Sequence, residues 1–229
     1  MMPAPATPTE FRRPWDNPAT ALLIDAFHDN SIDWKQLKTE PRVVAVIHKA
    51  TIGVSGLDPA YFKRHDEARQ RGYLWGSYHW GVAGEPEKQA DFYLDKVKPA
   101  ANELIALDLE DVSSTKLMNA EEALRFIRRI KQRAGRFPVL YTNHASARAL
   151  TEKFADTELA DVPLWYARFK PEVTDFPKGL WPTYTMWQFS SELLAQIVVP
   201  GIKPDMDVNV FNGTVAELKE QWPLTRAAA

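Results

Sequence analysis

The sequence predicts an α/β fold: a TIM-like eight-stranded barrel with an incomplete helical ring, written (β/α)5(β)3. Three observations predict it. Apolar, β-branched runs alternate with helical patterns over roughly the first two-thirds of the chain, as in parallel strands joined by crossover helices. The apolar runs then continue with only loops between them. Polar and aromatic residues gather at the C-terminal ends of the predicted strands, the end where a parallel barrel carries its chemistry. The 229 residues suit one large domain with a sizeable core.

Residues 1–19 are Pro-rich and without periodicity, and are expected to form an N-terminal arm. The barrel is expected over 20–213, followed by a short helix and tail over 214–229. "TALLIDA" (20–26) and "RVVAVIHKA" (42–50) are the first two strands. A helix is expected over 58–72, with Asp58 as N-cap, Pro59 at its first position and Gly72 as its stop. "YLWGSYHW" (73–80) is the third strand, and Ala90, Tyr93, Leu94 and Val97 set a helical stripe over 86–98. "ELIALDLE" (103–110) is the fourth. Asn119 with Glu122 opens the next helix as a capping box, and Gly135 ends it. "FPVLYT" (137–142) is the fifth strand, with a weaker helix over 145–155. "PLWYARF" (163–169), "YTMWQFS" (184–190) and "MDVNVF" (206–211) complete the eight. There is no internal repeat and no linker that marks a second domain.

Composition excludes several classes. Hydrophobic residues are 45% and charged residues 25%, ordinary for a globular protein, and the formal net charge of −2 offers no basic surface for nucleic acid. No window approaches the roughly 18 apolar residues of a membrane span, so no membrane insertion is expected. The opening "MMPAPATPTEFRRPWDNP" lacks the apolar core of a secretory signal, so synthesis in the cytoplasm without a recognisable signal peptide is expected. The absence of cysteine removes disulfides, thiolate metal sites and a Cys nucleophile.

The predicted strands end, in order, at Asp25, at His48–Lys49, at Tyr78–His79, at Asp108 and Glu110, at Tyr141, at Arg168 and at Trp187–Gln188. The eighth carries its polar residues, Asp207 and Asn209, early instead. In "LIALDLED" (104–111), Asp108 and Glu110 are two residues apart and share one face of the strand, toward the mouth, while Leu107 and Leu109 face the helices. Two carboxylates so close repel, and one holds its proton to higher pH. A protonated acid beside an ionised one is the equipment for cleaving a glycosidic bond. The residues alone leave plainer readings open. "EDVSS" is also what a solvated loop or helix cap looks like, and Asp25, Asp108, Glu110 and Asp207 together are hard oxygen ligands suited to a cation.

Several segments resemble, in order, those of the glycoside hydrolase family 25 lysozymes, the Chalaropsis-type N-acetylmuramidases. "LLIDAFHDNSIDWKQLK" resembles the family's opening Asp segment, "VIHKATIG" its K-A-T-E-G, "GSYHW" its G-A-Y-H-F and "ALDLE" its D-x-E core. "PVLYTN", "LWYAR", "MWQFS" and "MDVNVFNG" resemble the closing segments, and the likeness spans about residues 20–213. The resemblance implies a barrel with fewer than eight helices. It implies hydrolysis of the β-1,4 bond between N-acetylmuramic acid and N-acetylglucosamine in peptidoglycan, with no cofactor and no metal. By motif, Glu110 is the general acid, Asp108 orients or stabilises the reacting centre, and Asp25 and Asp207 complete an acidic floor. Tyr78 and Tyr141 are candidates to hydrogen-bond the acetamide or ring hydroxyls, and Trp165 and Trp187 to stack on sugar faces. Gln188 shares their rim. Lys49 and Arg168 are candidates to meet the lactyl carboxylate or stem peptide, or else to pair with Asp25 or Asp207. His79 is expected to hydrogen-bond in the barrel wall rather than act as a base.

The chain departs from the family at Ile52, where "KATIG" replaces a common Glu, and in a first loop that is a residue short. Neither touches the D-x-E pair. Peptidoglycan glycan strands are the expected partner. With no wall-binding segment expected after residue 213, delivery is expected either as a phage endolysin or as an injected toxin with an immunity protein, and the arm at 1–19 is a candidate to dock the delivery machinery. A non-catalytic glycan-binding barrel, a metal-dependent hydrolase and a chitinase-like glycosidase stay as alternatives. Chitinases of that barrel type carry a longer D-x-x-D-x-D-x-E run, whose earlier acids "NELIALDLE" lacks.

Overall fold

A computed structural model of the chain describes residues 11–191, 194–203 and 206–225. The elements run β1 (Thr20–Ala26), α1 (Trp34–Leu37), β2 (Val43–Ile52), α2 (Tyr61–Gln70), β3 (Leu74–Trp80), α3 (Pro86–Val97) and β4 (Leu104–Leu109). They continue with α4 (Ala120–Ala134), β5 (Val139–Asn143), α5 (His144–Phe154), β6 (Leu164–Ala167), β7 (Met186–Ser190), β8 (Asp207–Thr214) and α6 (Val215–Gln221). The sheet runs β1-β8-β7-β6-β5-β4-β3-β2, and β1 pairs with β2 to close it. Each of the first five strands is followed by a helix, and among the described residues no α-helix intervenes between β6, β7 and β8. This is the (β/α)5(β)3 barrel expected from the sequence.

Period-two alternation sorts the side chains into two apolar layers. Leu23, Ala45, Tyr78, Ala106, Tyr141, Trp165 and Met186 fill the barrel. Leu22, Val46, Leu107 and Leu140 face outward under the helices, and Trp187 faces outward on the helix-poor side. α4 has the cap its sequence promises, with Asn119 and Glu122 exchanging hydrogen bonds and Gly135 closing it at φ 72°. Its buried face is Ala123, Leu124, Phe126, Ile127 and Ile130.

Three expectations change. The parallel sheet holds from β1 through β7, but β8 is antiparallel to both neighbours. An antiparallel strand needs no crossover helix, so the β7–β8 connection stays at one end of the barrel. The early acid Asp207 therefore lies where the other strands finish, in register with Asp25. Next, α2 starts at Tyr61, not Asp58. The Asp58 carboxylate instead accepts from the backbone N–H of Ala60 and of His28, at 2.9 and 3.1 Å. Finally, the segment read as an arm is packed from residue 11 onward. Phe11 pairs with Val173 in a two-residue ladder, and Trp15 stacks on Phe189 with centroids 3.9 Å apart. With no helix described after β6 or β7, the outward rings of Trp187 and Phe189 take another cover, and this segment supplies it. Residues 1–10 of the expected arm and 226–229 of the expected tail lie outside the described residues.

Candidate active site

The site grows from the end of β4. Its period places Asp108 inward and Leu107 and Leu109 in the outer layer, and the strand stops at Leu109 with Glu110 just beyond. The three carbonyls of this turn are each held. The N–H of Gly81 donates to Asp108 O at 3.0 Å, and the Thr142 hydroxyl donates to Leu109 O at 2.8 Å. Glu110 O accepts from Asn143 Nδ2 and, at 3.4 Å, from Ser146 Oγ. A Cβ on Gly81 would stand 3.3 Å from Asp108 O and 3.1 Å from Met118 Cβ, so the close approach suits glycine.

At this rim a cleft of about 160 Å³ brings together Asp25, Asp108, Glu110 and Asp207 with Tyr78, Tyr141, Trp165 and Gln188. Phe27 and Trp80 also line it. Sequence reasoning missed both, though the signal was there: Trp80 is two residues beyond Tyr78 on the same face of β3, and Phe27 is two beyond Asp25, just past the end of β1. Lys49 lies beside the cleft, its Nζ 3.8 Å from the centroid of the Trp80 ring.

Asp25 is fixed by amides. Gln188 Nε2 donates to its two oxygens at 3.1 and 3.3 Å, and Asn209 Nδ2 donates at 2.7 Å. Behind them, Tyr141 OH donates to Gln188 Oε1 at 2.8 Å and Trp165 Nε1 to Asn209 Oδ1 at 2.6 Å. Burial pushes the Asp25 carboxyl up to about 6, against the pull of the two amides, and the Glu110 charge adds to the rise. Asp108 has no such donors, and its Oδ1 is buried without a partner. Burial, then the charges of Glu110 and Asp25, hold its pKa well above the carboxylate range, with Lys49 opposing. Glu110, less buried, is also raised, by burial and then Asp111, again with Lys49 opposing. Asp25 is thus dressed as a carboxylate and Asp108 as an acid. Burial pushes the hydroxyls of Tyr78 and Tyr141 up as well, so both stay neutral.

Two predicted site residues are not brought to this cleft. Trp187 faces outward, fully buried among Trp15, Phe11 and Phe189, because it alternates with the inward Met186 and Gln188. Arg168 follows the inward Ala167 and pairs with Asp175 at 2.7 Å, not with Asp25 or Asp207. Trp165 reaches the cleft but is only 1% exposed, so it forms the floor under Tyr141, edge-on at 4.9 Å, and offers no free face to stack on. His79 hydrogen-bonds in the wall, to Thr51 at 2.8 Å and Gln89 at 3.0 Å, and burial pulls it down to about 4. His28 bonds Asp58 at 3.0 Å, and Ile52 sits at the exposed end of β2. Among the described residues no cluster of three or more His, Asp or Glu side chains has the geometry of a metal site.

An acid with a raised pKa at the lip, above an ionised carboxylate held by amides, can protonate a leaving oxygen and balance positive charge left behind. The family model for glycosyl hydrolases family 25 matches residues 24–197. Lysozyme M1 of Streptomyces globisporus is 28% identical over 214 residues, covering 85% of this chain and 69% of its own. The bacterial lysozyme of Streptomyces coelicolor superposes with a TM-score of 0.73 at 27% identity, covering 86% of this chain and 94% of its own. The muramidase of Trichobolus zukalii gives 0.69 at 27% identity, covering 87% and 97%.

Proposed function

The chain belongs to glycosyl hydrolases family 25 and is a peptidoglycan-hydrolysing glycosidase; from that premise we propose that it cuts the β-1,4 bond from N-acetylmuramic acid to N-acetylglucosamine, with Glu110 as general acid. The observation that carries the assignment is the contrast between the acids of one cleft. Burial raises the pKa of both, but Asp25 accepts three amide hydrogen bonds that favour its carboxylate, whereas Glu110 stands at the lip with no such donor on its carboxyl among the described residues.

Glu110 gives its proton to the glycosidic oxygen as the bond from C1 of the muramic residue breaks. The carbonyl oxygen of that residue's own acetamide closes on C1, forming an oxazolinium ion. Asp108, which lines the cleft, accepts from the acetamide N–H and turns the carbonyl toward C1. The Asp25 carboxylate balances the positive charge from below, and Asp207 adds its own acid beside it. The Glu110 carboxylate then takes a proton from water, whose oxygen attacks C1. The acetamide is restored and the configuration at C1 retained, a substrate-assisted variant of glycoside hydrolysis. Tyr78 and Tyr141 hydrogen-bond the sugar, and the exposed ring of Phe27 with Trp80 gives the apolar contact that Trp165 is too buried to give. The test is the anomer first released from a soluble glycan substrate, read by proton NMR. The β anomer is expected, and the α anomer as first product would overturn the substrate-assisted route.

A further inference from the structure

Glu110 sits one residue past the last strand position of β4, where the main-chain ladder to β5 has run out. A side chain on such a stub ordinarily wanders, yet a general acid must meet one oxygen within hydrogen-bond reach. The chain prolongs the ladder with side chains instead of backbone. Thr142, the last residue of β5 in the ladder to β4, turns its hydroxyl onto Leu109 O at 2.8 Å. Asn143 next to it donates through Nδ2 to Glu110 O, and Ser146 Oγ approaches the same oxygen at 3.4 Å. Ser146 Oγ also accepts from Val112 N at 3.2 Å, so the chain is gripped two residues beyond Glu110 as well. Asn143 has a second duty. Its Oδ1 accepts from Ser146 N at 3.0 Å and so caps α5. One amide therefore ties the acid's backbone to the start of a helix.

The geometry points to Asn143 as the positioning residue of Glu110, with Ser146 as its second contact, so that the α5 cap and the placement of the acid are one device. This inference rests on the assignment of Glu110 as general acid. It separates from the cap, because Ser and Asp cap helices about as well as Asn, and neither can donate an N–H to Glu110 O.

The experiment compares Asn143→Ser, Asn143→Asp, Glu110→Gln and the native chain, reading kcat, KM, the pH profile and Tm on a soluble muropeptide substrate. The expectation for both Asn143 variants is a Tm close to native, a kcat lowered roughly 10- to 100-fold, as a misplacement on the order of 1 Å costs, and a KM within about twofold. The alkaline limb of the pH profile moves too, since the Glu110 carboxyl changes its distance from Lys49 and Asp111. A merely structural Asn143 would lower Tm and leave that limb in place. Native kcat and an unmoved limb in a folded Asn143→Ser or Asn143→Asp protein overturn the positioning role. Full activity in Glu110→Gln overturns the general-acid assignment itself, and the positioning role falls with it.

Discussion

Glu110 and Asp25 are needed in opposite protonation states. Asp25, pushed up to about 6 by burial, must be ionised to balance charge, so activity falls as pH drops below about 6. Glu110 must carry its proton, so activity falls again as pH rises through its raised pKa. A bell-shaped profile of kcat/KM is expected, and Asp25→Asn should erase its acid limb along with most of the rate. Replacing Glu110 by Gln should lower kcat by about 10²–10⁴, the usual worth of a general acid, with Tm unchanged or raised. Asp108 yields a stability prediction of the opposite sense. Its folded pKa lies above its unfolded one, so the folded state binds more protons between the two and stability declines as pH rises through that window. Asp108→Asn should therefore raise Tm at pH 7, by roughly 2–4 °C for each kcal/mol relieved, and lose that advantage below about pH 4. A Tm at pH 7 below native for this variant would contradict the burial account. At this scale much of the site was legible beforehand. A period of two and the strand ends were enough to gather Asp25, Tyr78, Asp108, Glu110, Tyr141 and Gln188. The same period applied to the last residues of β1 and β3 would have added Phe27 and Trp80.

Among the elements, the rim strands of the helix-poor side carry the informative misreadings. From its place at a strand end Trp187 reads as a sugar platform, yet its neighbours Met186 and Gln188 already occupy the inward face. Whether a ring on β7 faces barrel or helix layer depends on which phase the strand takes, and a five-residue strand with apolar residues on both faces does not reveal its phase. The N-terminal segment was misread for a related reason. Without helical periodicity Phe11 and Trp15 looked like isolated aromatics in a Pro-rich arm, and only the bare outer face of β7 explains why they are buried. Trp15→Ala should thus cost about 3–5 kcal/mol in urea unfolding, as removal of a buried Trp does. Trp187→Ala should lose a similar amount while the KM of the folded fraction stays native. A raised KM at native stability would return Trp187 to the substrate.

Across the whole molecule, the fold follows from the alternation of strand and helix patterns along the chain, and the one reversal, β8, needs no crossover helix to join β7. That reversal matters because it puts Asp207 beside Asp25 at the mouth. Four acids from three strands thereby converge on one lip, and their mutual repulsion is kept in check by amides around Asp25 and by Lys49 on Trp80. Burying Asp108 with its Oδ1 unpartnered costs stability, so the barrel carries at this rim an acid that its packing does not need. The most direct measurement is mass spectrometry of the fragments released from purified peptidoglycan by the native chain and by Glu110→Gln. Fragments ending in reducing N-acetylmuramic acid, made by the native chain and absent with the variant, are the predicted result. Reducing N-acetylglucosamine ends, or equal release by Glu110→Gln, would contradict it.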